Sequence, residues 1–390
     1  MMKILMMHAH DIWANEEPWT SRIRNIAREF VARGHEVRII YFAFAGRERC
    51  VPQDDVFTSF RLRRSKWWIF FNILAVMRHA AWADVIHFQK CFAHVSIPAV
   101  IAHALLNKPL HYDWDDWEYQ IYNFDPPSRL KGHFLDFIER RLPALVDTIS
   151  VSSRGIRQLA LDVGFPADRI VKAHVCADLK AFRPMADGEV IRRKYSIDRP
   201  VVMYMGQLHG GQYAYLFVEA AAKVLRTHDV LFMLVGSGSR EPLLFQQVVE
   251  RNIHDRVIFT GAVRHEEIPS YLAVCDVAVA CFEDNDITRH KSPLKIVEYM
   301  ACGKAVVASD VGEVPIMLGD AGLLVRPGKS RELARGIITL LDDEKKRTRC
   351  EKKARVYAEK RFDWSVTAGN ILDAYTMALN DYHANGKKGP

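Results

Sequence analysis

Short apolar runs rich in β-formers recur along this chain at intervals that leave room for a helix between them, and that alternation limits the fold more than any other feature. Runs at 3–8, 36–44, 56–62, 84–89, 109–115, 148–152 and 170–175 read as strands, with amphipathic helices between them such as 20–33, ended by Gly34. A second series runs through 201–206, 230–235, 256–260, 276–282, 305–309 and 322–325. Repeated strand, helix, strand order builds a doubly wound parallel sheet, so the chain reads as two Rossmann-like α/β halves. Its 390 residues are too many for one comfortable core. The polar stretch 183–200, carrying Pro184 and Gly188, reads as the linker, which predicts domains at 1–183 and 184–363. Beyond Pro327 the pattern is helical, over 331–341 and 344–360 and then in a last segment, 364–390, whose GKKGP end frays.

Composition narrows the class. With 49% hydrophobic and 26% charged residues the chain can bury two cores, and no low-complexity tract argues for disorder. The seven cysteines are scattered without CxxC spacing, which argues against a disulfide framework or a zinc site and fits a reducing cytoplasm. The start, MMKILMMHAHDIW, lacks a small-residue cleavage site and reads as a strand. Neither 67–77 nor 91–107 is a convincing membrane span.

The most informative stretch is 288–312, TRHKSPLKIVEYMACGKAVVASDVG. KSPLKIVEYMACGK reads as a short helix with Pro293 at its first turn, Leu294, Val297 and Met300 or Ala301 on one apolar face, and Gly303 as its stop. The loop before it delivers Ser292 and backbone N–H groups to a positive helix end, a place to hold an anion. Lys295 would neutralise a phosphate there, and Glu298 would accept hydrogen bonds from ribose hydroxyls. An amphipathic helix with a solvated Lys–Glu pair fits the same residue types.

The run SPLKIVEYMACGKAVVAS, with GEVPIM and GLLVRP after it, closely resembles the donor-site segment of family-4 retaining glycosyltransferases, enzymes of the GT-B architecture. The resemblance implies two Rossmann-like domains facing across a cleft, with a last helix, around Trp364 to Tyr375, crossing back to the first domain. It implies that Glu298 holds the nucleotide ribose, and that Lys291, Ser292, Pro293 and Leu294 hold the diphosphate and sugar. Gly206 and Gln207, which follow the first strand of the second half, and Gln212 are donor-binding candidates by the same resemblance, and the backbone of Val263 and Arg264 would face the base. The co-substrate would be a nucleotide sugar, UDP- or GDP-linked, with no metal and no further cofactor, and the acceptor a glycan or lipid-linked sugar in cell-surface polysaccharide or glycolipid synthesis.

In the first half, DWDDWEY interleaves carboxylates with indoles at a strand end. Aromatic faces pack on sugar rings and carboxylates accept from sugar hydroxyls, so Asp113, Asp116, Trp114 and Trp117 are candidates for sugar or acceptor contacts. The same residues also suit a core Trp and a solvated turn. Asp115 falls where many family members have a His that touches the donor sugar, and Asp115, Lys295 and His290 are the candidate catalytic residues.

Departures from the family pattern are equally specific. The Arg after the first second-half glycine is Gln207, the Lys five residues on is Gln212, the glycine pair of the first loop is Glu17 and Pro18, and the first Glu of a conserved-spacing pair is His290. A neutral amide stabilises a leaving diphosphate less than a cation does. Either Arg289, His290, Lys291 and Lys295, with His209, take over, or the chain binds a nucleotide sugar or glycan without turnover. A sugar-nucleotide epimerase is a third reading, with Asp115 and His290 as acid and base. Finally, 56–83 holds no acid, while Arg61, Arg63, Arg64, Lys66 and Arg78 bracket WWIFFNILAVM. Residues 61–78 thus read either as an interfacial helix on an anionic membrane surface, making the protein cytoplasmic and peripheral, or as a buried helix with a basic start. Nucleic acid is excluded as a partner by the apolar run beside those charges.

Overall fold

The structure is a computed structural model that describes residues 1–13, 18–44, 56–124, 126–184, 188–209, 211 and 213–384. Two compact units divide the chain: residues 1–174 together with the segment from 364 onward, and residues 175–363.

The first unit runs β1 (Lys3–His8), α1 (Pro18–Ala32), β2 (Glu36–Ala43), β3 (Thr58–Arg63), α2 (Ile69–Trp82), β4 (Val85–Gln89), α3 (Ala93–Leu106), β5 (Leu110–Trp114), α4 (Glu118–Asn123), α5 (Arg129–Arg141), β6 (Thr148–Val151), α6 (Arg154–Asp162) and β7 (Ile170–Lys172). Among the described residues its strands form one parallel sheet in the order β3-β2-β1-β4-β5-β6-β7. Parallel strands covered by helices on both faces must be apolar on both sides. That is why β1, β4 and β5 are buried almost throughout.

The second unit continues with α7 (Glu189–Lys194), β8 (Val201–Met205), α8 (Ala214–Val224), β9 (Leu231–Val235), α9 (Glu241–Glu250), β10 (Val257–Phe259), α10 (Ile268–Ala273), β11 (Val277–Ala280), α11 (Asp286–His290), α12 (Leu294–Ala301), β12 (Ala305–Ser309), α13 (Val314–Leu318), β13 (Gly322–Val325), α14 (Ser330–Asp342) and α15 (Glu344–Arg361). Its described strands form a parallel sheet ordered β10-β9-β8-β11-β12-β13. Residues 175–183 pack with this unit, and α7 forms inside the polar stretch read as a linker. Ile191 is buried there and Lys194 Nζ lies 3.1 Å from the Tyr271 hydroxyl of α10.

The last helix, α16 (Trp364–Ala384), belongs to the first unit. It buries Trp364, Ala368, Ile371 and Tyr375 against α1 and β5–β7. Helical spacing sets that face, and the Tyr375 hydroxyl meets His87 Nδ1 at 2.7 Å.

Both sheets reverse their winding direction once, between β1 and β4 in the first and between β8 and β11 in the second. At such a switch point the loops at the carboxyl ends diverge, and open α/β sheets hold their ligands there.

Candidate functional site

In the second unit the switch point is built from backbone outward. β8 ends at Gly206, whose φ of 136° few side chains could adopt. A Cβ on Gly236, at the end of β9, would stand 2.1 Å from the Gly206 carbonyl oxygen, so this glycine serves a close approach of two strand ends as well as a turn. The Gly206 amide donates to the Val235 carbonyl at 2.9 Å, and the Leu208 amide to that of Ser237 at 2.9 Å. Tyr299 of α12 locks the next pair of strands, its hydroxyl accepting from the Met205 amide at 2.8 Å and donating to the Val279 carbonyl at 3.3 Å.

Into this frame α12 brings Lys295. Residues 295–301 are all buried, so α12 is no amphipathic surface helix and its Lys and Glu are not a solvated pair. Lys295 Nζ lies 4.0 Å from the centre of the Tyr204 ring and 3.0 Å from the point a Cβ on Gly206 would take. It has no hydrogen-bond partner among the described residues. Burial lowers its ammonium to about 7, with Lys291 adding repulsion. An ammonium in this position gains most from an anion brought in from outside. Two further features point the same way: Pro293, the N-cap of α12, offers that helix end no side-chain cap, and His209 is lowered by burial and then by Lys291 and Lys295.

One turn on, the buried Glu298 carboxylate accepts from His265 Nε2 at 2.6 Å. His265 comes from the loop after β10 and its ring lies 5.0 Å from that of Phe182. Sequence reasoning missed His265, because no spacing links a loop residue to a carboxylate thirty-three positions away.

The other predicted donor residues divide. Gln207 is exposed directly after Gly206, and Leu294 opens α12 half-buried. Ser292 is buried with its hydroxyl 3.6 Å from Met317 Sδ, turned into the packing against α13. His290 ends α11 and donates from Nδ1 to the Asp286 carbonyl at 2.6 Å. Val263 packs on the unit's core, while Arg264 is exposed and pairs with Glu267 at 2.7 Å. Arg289 is exposed at the end of α11. It pairs with Asp284 at 2.6 Å, because Asn285 caps α11 and folds that acidic turn beneath it. Gln212 and Glu17 lie outside the described residues.

In the first unit the switch point carries a different arrangement. Two of the predicted sugar contacts, Asp113 and Trp114, lie within β5, in the middle of the sheet, and are buried. Asp113 is held by Arg22 through two bonds of 2.7 Å and by the Ser150 hydroxyl at 2.6 Å, and these partners outweigh burial to keep its carboxyl well below the usual range. Trp114 donates from Nε1 to Glu139 at 3.0 Å and stacks on Tyr112 within the core. Trp117 is half-buried against the same core.

Asp115 and Asp116 sit past the strand end. Lys90, one residue after β4, has a left-handed φ of 73° and puts Nζ at 3.2 Å from Asp115, 3.2 Å from Asp116 and 2.5 Å from Glu118. These carboxylates bring oxygens within 4.8 Å of one another, a spacing that would suit a cation, and the Lys90 ammonium supplies one. Burial would lower Lys90, but the three carboxylates hold it well above its usual value. Burial also pushes Glu118 up to about 7 and Glu139 up to about 8, although Glu139 caps α4 by accepting from the Glu118 and Tyr119 amides at 3.0 and 2.9 Å. Gln89 completes a line: its amide donates to Asp115 at 2.7 Å and its oxygen meets His8 Nδ1 at 3.0 Å. A charged residue directly after a strand was the available signal for Lys90.

Two Rossmann-like units with this chemistry at the strand ends define the GT-B fold. Residues 199–343 match the family described as Glycosyl transferases group 1, and residues 20–174 the Glycosyl transferase 4-like domain. The chain belongs to the group 1 glycosyltransferases.

It is 27% identical over 235 residues to the alpha-D-kanosaminyltransferase of Streptomyces kanamyceticus, a match covering 58% of this chain and 59% of that one. Identity to the D-inositol 3-phosphate glycosyltransferase of Nocardia farcinica is 29% over 273 residues, covering 66% and 57%. The matched stretch thus spans less than two thirds of either relative. Among solved structures, sucrose-phosphate synthase from Thermosynechococcus elongatus superposes with a TM-score of 0.77 at 19% identity, over 98% of this chain and 100% of that one. HepE of Anabaena in complex with UDP-glucose gives 0.76 at 20% identity, over 97% and 100%.

Proposed function

We propose that this protein is a retaining, metal-independent glycosyltransferase that moves a sugar from a nucleotide diphosphate to a glycan or lipid-linked acceptor. The observation that carries the reading is Lys295, a buried ammonium with no hydrogen-bond partner among the described residues, at the strand-end glycine and one turn before a buried carboxylate. A β-phosphate in hydrogen-bond reach of Nζ would restore its charge, and Glu298 would accept from the ribose through the oxygen that His265 leaves open.

Departure of the nucleotide diphosphate leaves an oxocarbenium-like sugar, and the groups that stabilise the leaving charge are Lys295, Lys291 and the first turn of α12, whose N-cap is Pro293. Those cations answer the absence of the family's Arg and Lys at Gln207 and Gln212. Of the candidate catalytic residues, Asp115 with Asp116 is assigned to sugar or acceptor hydroxyls, and His290 to a donor contact. UDP is the favoured nucleotide, since the HepE structures were solved with UDP and UDP-glucose. A cytoplasmic setting accords with the six described cysteines, which are free and buried.

The acceptor side is read as an anionic membrane surface met through residues 61–78, where Trp67 is 80% and Phe70 63% exposed. No described helix is long and apolar enough to cross a membrane. A second reading, binding without turnover, is favoured by Arg289, whose charge is engaged by Asp284.

The test is calorimetric titration with UDP, GDP and ADP and their sugars, beside Lys295→Met and Glu298→Ala. Micromolar binding of one nucleotide, lost in both variants, is expected. No binding to any would remove the donor-site reading, and binding without transfer to any acceptor would leave the second reading.

A further inference from the structure

The exposed aromatic residues before and within α2 are not the only ones on their side of the first unit. The crossovers β3 to β4, β4 to β5 and β5 to β6 all step in one direction along the sheet. Right-handed connections therefore put α2, α3 and α5 on one face, and the core confirms it: Val76, Ala99 and Leu135 share one cluster. α1 steps the other way and packs with α16.

Helix α5 buries Gly132, Leu135 and Glu139. About half a turn round the same helix, at roughly 100° per residue, stand Leu130, Phe134 and Phe137. They are 82%, 55% and 58% exposed. α2 repeats the design. It buries Asn72, Val76 and Ala80 and exposes Phe70, Phe71 and Leu74 on the opposite side, continued by Trp67. Two helices of one layer, each with its second apolar stripe turned away from the same sheet, aim those stripes in a common direction.

Charge selects the partner. Around the α5 stripe Arg129, Lys131 and Arg141 are exposed, with the Arg141 guanidinium 5.7 Å from the Phe137 ring centre. Asp136 is paired with Arg140 at 2.8 Å and Glu139 is buried, so the stripe is rimmed by net positive charge. At the α2 stripe Arg63 lies 5.3 Å from the Trp68 ring centre. Large apolar groups flanked by snorkelling arginines match the boundary between acyl chains and anionic headgroups.

We infer that the α2–α3–α5 face is a two-footed docking surface for an anionic lipid bilayer, with α5 as a second, independent foot. The inference rests on the membrane reading of residues 61–78 and extends it to a separate helix.

Vesicle flotation tests it, using the full chain and phosphatidylcholine vesicles with and without phosphatidylglycerol. Phe134→Ser/Phe137→Ser and Trp67→Ser/Phe71→Ser change only exposed residues, and melting curves check their folding. Each pair is expected to lower partitioning onto phosphatidylglycerol vesicles at least tenfold, and Arg129→Gln/Arg141→Gln roughly fivefold for each charge removed. If only the 67/71 pair matters, the α5 foot is overturned while the earlier reading stands. If no protein floats, both fall. Equal binding to neutral vesicles overturns the choice of an anionic surface. Loss of a dimer by light scattering in the α5 variants, with vesicle binding unchanged, would make this face a contact between copies instead.

Discussion

Lys90 and Lys295 are both buried lysines at the switch point of a parallel sheet, and they are chemical opposites. Lys90 is surrounded by Asp115, Asp116 and Glu118 and is held strongly charged. Lys295 has a tyrosine ring beneath it, no acceptor among the described residues, and an ammonium lowered to about 7. The first unit has neutralised its cation from within, whereas the second holds one that calls for an anion from outside. Burial is common to both, so the difference lies in what the neighbouring strand ends supply.

The sharpest way to break this comparison is to delete each cation in turn. Lys90→Met strands three carboxylates and should cost about 3–5 kcal/mol, read as faster amide exchange in β4 and β5. The wild-type cluster should itself respond to pH. Glu118 and Glu139 titrate near 7 and 8 when folded against 4.5 in model compounds, so the native state binds more protons between those values. Stability of the first unit should therefore fall by several kcal/mol as pH rises from about 4.5 to 8, and Glu118→Gln should flatten the profile in thermal unfolding.

Lys295→Met should behave in the opposite sense to Lys90→Met. Melting should be unchanged or slightly higher, while nucleotide diphosphate affinity falls about 10- to 100-fold by calorimetry. Because Lys295 is lowered when free and recharged by an anion, affinity should be full below about pH 7. It should fall as pH rises, approaching tenfold per unit, and binding should take up a proton that is visible as a buffer-dependent enthalpy. The smallest effect belongs to His265. His265→Ala should weaken nucleotide binding by about fivefold through a less ordered Glu298, and His265→Gln, which keeps an N–H, should recover most of it.

Much of this architecture was written locally. Parallel strands buried on both faces must be apolar runs, and their spacing leaves only room for crossover helices, so each run read as a strand is one to within a few residues. The α12 stretch was legible for the same reason, since Gly303 and Ala305 to Val307 bound a helix whose register carries Lys295 and Glu298 to one site. Sequence could not tell that Asp113 and Trp114 stay inside β5 while Asp115 and Asp116 emerge from it, because one residue of strand length reverses those roles. Nor could it pair Lys90 with Glu118, Arg22 with Asp113 or His265 with Glu298. Local periodicity determined which segments are strands and helices. Strand order, a product of non-local packing, decided which residues meet at the carboxyl ends and therefore which buried lysine is satisfied and which awaits a ligand.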